Sequence, residues 1–213
     1  MKNISILGFG GHASTVREAC ELSGWKITGF YIEEGFESVS PVADGGEQAK
    51  SVSRNQKLNP KDFESNIFVL GIGDNCARLW WCEKLLREGF VLPWISHTHS
   101  WVSPSACLAE GVFVAAGAVV QAGARIGRAA LINSNAAVEH HVQIGSGVHI
   151  GPGAVLAGLV EVGDLTMVGA GAVIRDRIKI GKSVTVGAGA AVVKDVPEQI
   201  TVVGVPAKAL RKS

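Results

Sequence analysis

The chain of 213 residues predicts two joined folds, an α/β Rossmann-like first half and a parallel β-helix of hexapeptide repeats in the second. Three observations carry this. Every sixth residue from Val102 to Val192 is aliphatic, without one slip. The fifth position of each hexad is small or branched, from Ala106 to Val196. Before Val102 the period vanishes, and short apolar runs alternate with helical patterns. The expected division is 1–100 for the first domain and 101–213 for the second.

The hexads are the more regular half. A strand alternates faces every two residues and a helix turns every 3.6, so neither yields a clean period of six. A triangular coil does, with one hexad per flat side. The lead residue points inward and stacks on its equivalents, and the small fifth residue fits near the corner. Gly fills the second position seven times, at 127, 145, 151, 163, 169, 181 and 187, where it is expected to relieve backbone angles. Sixteen hexads make a little over five coils, a prism roughly 25 Å tall at about 4.8 Å per coil. Gln199–Leu210 is expected to fold over the exposed last coil. A purely structural rod would repeat one polar residue along a face. Here the third, fourth and sixth positions are irregular and carry histidines.

In the first half, Asn3–Leu7 reads as a strand, and a helix follows from Ala13 to about Ser23. Lys26–Ile32 is the second strand, and Pro41–Pro60 a polar loop with some irregular helix. Ile67–Ile72 is the third strand, followed by Gly73-Asp74-Asn75 and a helix to about Glu88. Val91–Ile95 is the fourth strand, leading to the prism. Trp80, Trp81, Leu85 and Leu86 read as core and domain-interface packing. The turn Gly8-Phe9-Gly10-Gly11-His12 lies between strand one and helix one. Its backbone N–H groups can cradle a phosphate at the helix N-terminus, or its glycines can simply allow tight packing. Glu33 and Glu34 end strand two, where a carboxylate either meets a ribose hydroxyl or is solvated.

Composition narrows the class. A formal net charge of +1 leaves no electrostatic footprint for nucleic acid. The mean hydropathy of +0.27 comes from the hexads, and no apolar run reaches the roughly 18 residues needed to span a membrane. The N-terminus meets Gly too early for a secretory signal. Four cysteines form no C-x-x-C pair and read as reduced thiols of a cytoplasmic protein.

Three histidines cluster within two successive hexads. His140 and His141 take the third and fourth positions of one hexad, and His149 the sixth of the next. These positions face outward, so they become buried only between subunits. An imidazole in such a cleft can take a proton from an attacking amine or hydroxyl, whereas isolated surface histidines would do nothing. His97 and His99 sit near the domain junction, and His12 beside the glycine turn.

At these residues the chain resembles a family. Gly8-Phe9-Gly10-Gly11-His12, Ile72-Gly73-Asp74-Asn75 with Arg78, Ile132-Asn133-Ser134, Val138-Glu139-His140, His149, and Val203-Gly204-Val205-Pro206-Ala207-Lys208 are similar to the nucleotide-sugar acetyltransferases of the left-handed β-helix (hexapeptide) superfamily. The likeness is greatest to those that N-acetylate UDP-4-amino-sugars in bacillosamine synthesis, or GDP-perosamine. Sialic-acid O-acetyltransferases are more distant. The resemblance implies a left-handed prism and a homotrimer with acetyl-CoA between adjacent prisms, acting in surface polysaccharide biosynthesis. His140 matches the general base, His149 a residue near the acetyl group, and Asn133 a sugar-proximal side chain. Gly10, Gly11, His12, Glu33, Glu34 and Gly73 would serve the nucleotide sugar. Gly158, Ala170, Ala188 and Lys208 would line the coenzyme arm. No metal is expected. One departure stands out: the family has an acidic residue directly after the catalytic histidine, and this chain has His141. O-acetylation of a sugar such as sialic acid, a β-helix metal-dependent hydratase and a non-catalytic scaffold are the competing readings.

Overall fold

The computed structural model describes residues 2–35 and 48–210. A four-stranded parallel sheet opens the chain, in the order β3-β2-β1-β4, from β1 (Lys2–Leu7), β2 (Trp25–Glu33), β3 (Lys50–Val52) and β4 (Phe68–Leu70). Helix α1 (Gly11–Leu22) connects β1 to β2, and α2 (Asn75–Arg87) follows β4. Helix α2 begins where Asp74 accepts the Ala77 backbone N–H at 2.7 Å. Trp81 and Leu85 are buried in its apolar core, with Trp80 and Leu86 packed at the margin, as the pattern of large apolar residues implied.

Two elements differ from the sequence reading. Strand β3 lies within the stretch expected to be loop, whose residues 41–47 fall outside the described residues. Val91–Ile95 forms no sheet strand of its own: Val91 makes a single bridge to Ile67, and β5 (Ile95–Ser96) pairs with Phe113–Val114 of the prism. The coil therefore starts at Ile95, one hexad before Trp101. The polar Ser96 occupies a lead position and hides that first rung from an aliphatic pattern.

The second half is a left-handed prism of two-residue strands. Strands β6 to β21 recur every six residues from Trp101–Val102 to Ala191–Val192, and each up to Val173–Ile174 pairs in parallel with the strand 18 residues on. Lead and fifth positions fill the core; Val114, Ala118, Val120, Ile132, Val138, Ile150 and Leu156 are wholly buried. From Val102 to Val196, Thr166 is the one polar residue at these positions. Its hydroxyl donates to the Gly181 carbonyl at 2.8 Å and accepts the Val184 N–H at 3.1 Å, so burial leaves neither lone pair nor proton idle.

The second-position glycines have a different reason from the one expected. Their φ values are not positive. A Cβ at Gly169 would stand 2.6 Å from the Ala188 nitrogen, and one at Gly163 2.6 Å from the Lys182 nitrogen, so the next coil excludes a side chain. Positive φ falls instead at every fourth position from Gly111 to Gly189, and His141 is one of these corners at φ 58°.

The three faces carry different outward residues. One presents Phe113, Leu131 and His149 beneath the first domain. The next presents Trp101, Val119, Ala137, Val155 and Val173, an apolar strip in which Trp101 is 57 % and Val173 48 % exposed. The third presents Arg125, Gln143, Glu161 and Lys179. Strands β22 (Thr201–Val203) and β23 (Lys208–Ala209) form an antiparallel pair that covers the last coil, as expected of that segment.

Candidate active site

Arg78 joins the two halves. It rises from α2 into the interface and is 1 % exposed. Its Nε donates to the Ala129 carbonyl at 2.8 Å. Nη1 donates to the Ile72 and Gly73 carbonyls, at 3.2 and 2.8 Å. Nη2 donates to Asn75 Oδ1 and to the Gly147 and Val148 carbonyls, at 2.9, 3.1 and 3.3 Å. This satisfies the guanidinium with dipoles rather than with a carboxylate, and burial lowers its pKa to about 10. Asn75 extends the seam by donating to the Leu165 and Thr166 carbonyls.

Two imidazoles lie within the field of that charge. Burial, then the Arg78 charge, lowers His149 to about 4. Burial, Arg78 and His149 lower His12 to about 3. Both are therefore neutral at pH 7. The Asn133 side chain is oriented because its Oδ1 accepts the Ser134 N–H at 2.8 Å. Its Nδ2 then donates to His149 Nε2, 3.1 Å away, which places the His149 proton on Nδ1. His12 stands edge-on to Phe113, with ring centroids 5.6 Å apart. Its Nε2 is buried and meets no hydrogen-bond partner among the described residues. Asn133, His149 and His12 thus form one group, joined across the domain seam by Arg78, a residue that had entered only as part of a motif.

The glycine turn is closely packed at one end and open at the other. Gly8, with φ 132°, passes so close to Gly71 that a Cβ would collide with its carbonyl. Gly10 and Gly11, by contrast, meet nothing within 4 Å, so the start of α1 is open. Gly73 is exposed, and its carbonyl is taken by Arg78. Glu33 is not a free carboxylate: it accepts the Trp81 indole N–H at 2.8 Å and pairs with Arg54, which stacks on Trp80 at 4.8 Å. Glu34 is exposed.

His140 and His141 lie elsewhere, exposed on the edge between the apolar and charged faces. Their Nδ1 atoms are 3.3 Å apart and their rings meet at 78°. The His140 ring rests on Gly158, where a Cβ would come within 2.6 Å of Cε1 and Nε2; the His141 ring rests on Gly123. Among the described residues no carboxylate pairs with His140, Glu139 included. Gly158, which the resemblance assigned to the coenzyme arm, is thus also the floor under the His140 ring. Ala170 and Ala188 are exposed one coil apart, beside corners at Gly153, Gly171 and Gly189 that meet nothing within 4 Å. That unobstructed edge suits a thin, extended group. Lys208 is exposed in the end cap. No group of three or more metal-ligating side chains occurs among the described residues.

His140 and the Asn133–His149 pair stand at opposite edges of the apolar face. One chain does not bring them together. A groove of about 1020 Å³ runs along the charged face between Arg125 and Lys182 and touches none of these candidates.

A prism of hexads with imidazoles on its edges, fused to a parallel sheet with an open glycine turn, is the architecture of a hexapeptide-repeat transferase. Comparison with known proteins agrees: residues 123–158 match the bacterial transferase hexapeptide family (six repeats), and residues 3–85 the PglD N-terminal domain. A histidine-to-asparagine variant of perosamine N-acetyltransferase from Caulobacter crescentus, in complex with CoA and GDP-perosamine, is 32 % identical with a TM-score of 0.88, over 100 % of this chain and 98 % of that one. The acetyltransferase domain of PglB from Neisseria gonorrhoeae, in complex with acetyl coenzyme A, is 32 % identical with a TM-score of 0.85, over 98 % and 99 %. UDP-N-acetylbacillosamine N-acetyltransferase of Bacillus subtilis is 34 % identical over 123 residues, which span 54 % of this chain and only 52 % of that relative. The chain belongs to the nucleotide-sugar acetyltransferases of the hexapeptide superfamily.

Proposed function

We propose that the protein transfers an acetyl group from acetyl-CoA to the 4-amino group of a nucleotide-linked deoxy-amino-sugar. The observation that carries the reading is the split site. A neutral Asn133–His149 pair lies below the nucleotide-type domain, and His140 lies across the apolar face. Packing three prisms through that face about a threefold axis brings one chain's His140 toward the next chain's His149. Acetyl-CoA then lies along the open edge at Ala170 and Ala188. The first domain holds the nucleotide sugar at Gly10, Gly11 and His12. The solved relatives support this, being complexes with CoA, acetyl coenzyme A or GDP-perosamine. A cytoplasmic homotrimer supplying surface polysaccharide synthesis fits the same chemistry. Among the described residues no helix is long and apolar enough to cross a membrane.

The free amine attacks the thioester carbonyl, and the new C–N bond forms as a tetrahedral oxyanion develops. A backbone N–H stabilises that charge. His140 Nε2 accepts the proton from the amine, the C–S bond breaks, and the proton passes to the departing CoA thiolate. Buried Cys20 and Cys82, both raised to about 12 by burial, supply no competing thiolate. O-acetylation is disfavoured because a hydroxyl demands a stronger base, and His140 lacks a carboxylate partner. The test is turnover of His140→Asn with acetyl-CoA and UDP-, GDP- and dTDP-linked amino-sugars. A loss of about 10²- to 10⁴-fold in kcat is expected; near wild-type turnover removes His140 from the mechanism.

A further inference from the structure

We propose that His141 is a positioning residue that sets the tautomer of His140, so that a single proton taken up by either ring switches the base off. The inference rests on His140 being the base.

The two Nδ1 atoms face each other at 3.3 Å, which leaves room for one proton between them. If that proton sits on His140, its Nε2 carries a lone pair and can accept from the amine. If it sits on His141, His140 must carry its own proton on Nε2 and is inert as a base. The main chain is anchored at both residues. The His141 N–H donates to Ala122 and the His140 carbonyl accepts from Leu159, each across one coil, at 3.0 and 3.1 Å. His141 occupies a left-handed corner, which few residues other than Gly adopt freely. The glycines at 123 and 158 leave each ring its seat, one on the coil before and one on the coil after.

A carboxylate in place of His141 could only accept, and would hold the proton on His140 Nδ1 whenever ionised. A neutral imidazole can accept or donate at Nδ1, and a protonated one only donates. Protonated His141 therefore turns the His140 ring around electronically without charging it, and protonating His140 itself has the same result. The surrounding charges do not duplicate this role. The flanking coils present Ala122 and Gly123 on one side and Gly158 and Leu159 on the other. Glu139 precedes the pair without bonding to it. Arg125 lies two residues beyond Gly123. Asp176 and Arg177, one coil beyond Gly158 and Leu159, are paired to each other at 3.0 Å.

The test combines ¹⁵N NMR of the histidine rings in the full-length protein with steady-state kinetics. Wild-type His140 is expected as the Nδ1–H tautomer at neutral pH. In His141→Ala it should revert to Nε2–H, with kcat lower by about 10- to 100-fold and an unchanged KM for acetyl-CoA. His141→Glu should restore both the tautomer and kcat, with the acid limb of the rate profile moved to higher pH because a carboxylate favours the protonated ring. An Nδ1–H signal and wild-type kcat in His141→Ala overturn the inference. A His140→Asn variant that keeps its turnover overturns the base assignment instead, and the ring tautomers report on the pair independently of it.

Discussion

Acidification from pH 7.5 to 5 should strip about 4 kcal/mol from the folding stability, through two imidazoles alone. His149 is held near 4 and His12 near 3, against 6.5 in a free side chain. The unfolded chain takes up a proton at each ring as pH falls through 6.5, while the folded chain takes up none until about 4. Between these limits the unfolded state binds more protons, so stability rises with pH. The contribution is fully present above 6.5 and is lost progressively toward acid. Each ring costs about 1.4 kcal/mol per pH unit in that window, which integrates to about 2 kcal/mol by pH 5. Stopping at pH 5 stays above ordinary carboxylate titration. The assay is urea unfolding at fixed protein concentration, followed by fluorescence of the five tryptophans. His149→Gln should remove about half of the difference. A change below about 1 kcal/mol between the two pH values would refute the reasoning, as would one that His149→Gln leaves untouched.

Arg78→Met deprives the buried Ala129, Gly147 and Val148 carbonyls of their donor. It should cost about 3 kcal/mol or more in urea unfolding at pH 7.5; a loss under about 1 kcal/mol contradicts the seam described above. Gly158→Ala places a methyl group 2.6 Å from the His140 ring, which must shift by about 1 Å to regain ordinary contact. An exposed ring can shift cheaply, so the circular dichroism and elution volume should not change while kcat falls about 10- to 100-fold. An unchanged kcat, or a change only in the KM for acetyl-CoA, would show that the glycine serves the coenzyme arm and not the ring.

The prism was legible because its period is dictated by a repeated local geometry, and one residue class fills each column. It became illegible at Ser96, where a polar side chain occupies a lead position beside the first domain. The first domain was read in outline, since β1, α1, β2, β4 and α2 have apolar patterns of adequate length. Strand β3 escaped because three residues at a sheet edge leave no periodic trace. The reason for the second-position glycines was misread, since close approach of the next coil is a property of stacking and not of any residue's own backbone. Glu33 illustrates the harder limit. Its place at a strand end suggests a ribose contact, yet Trp81 and Arg54, 48 and 21 residues away, claim it. The role of Arg78 was equally hidden, because a buried cation satisfied by carbonyls leaves no complementary acid to find.

The seam between the two halves has an evolutionary corollary. The polar atoms that fasten the first domain reach main-chain carbonyls on the prism: Arg78 at Ala129, Gly147 and Val148, Asn75 at Leu165 and Thr166, and Ser23 at Ser96. A carbonyl is offered by every residue type. Those fasteners accordingly place no demand on which side chains the prism carries at these positions. On the two faces turned away from the first domain the outer residues are free to diverge, for a new acceptor or a new neighbour, while the domain above stays in register.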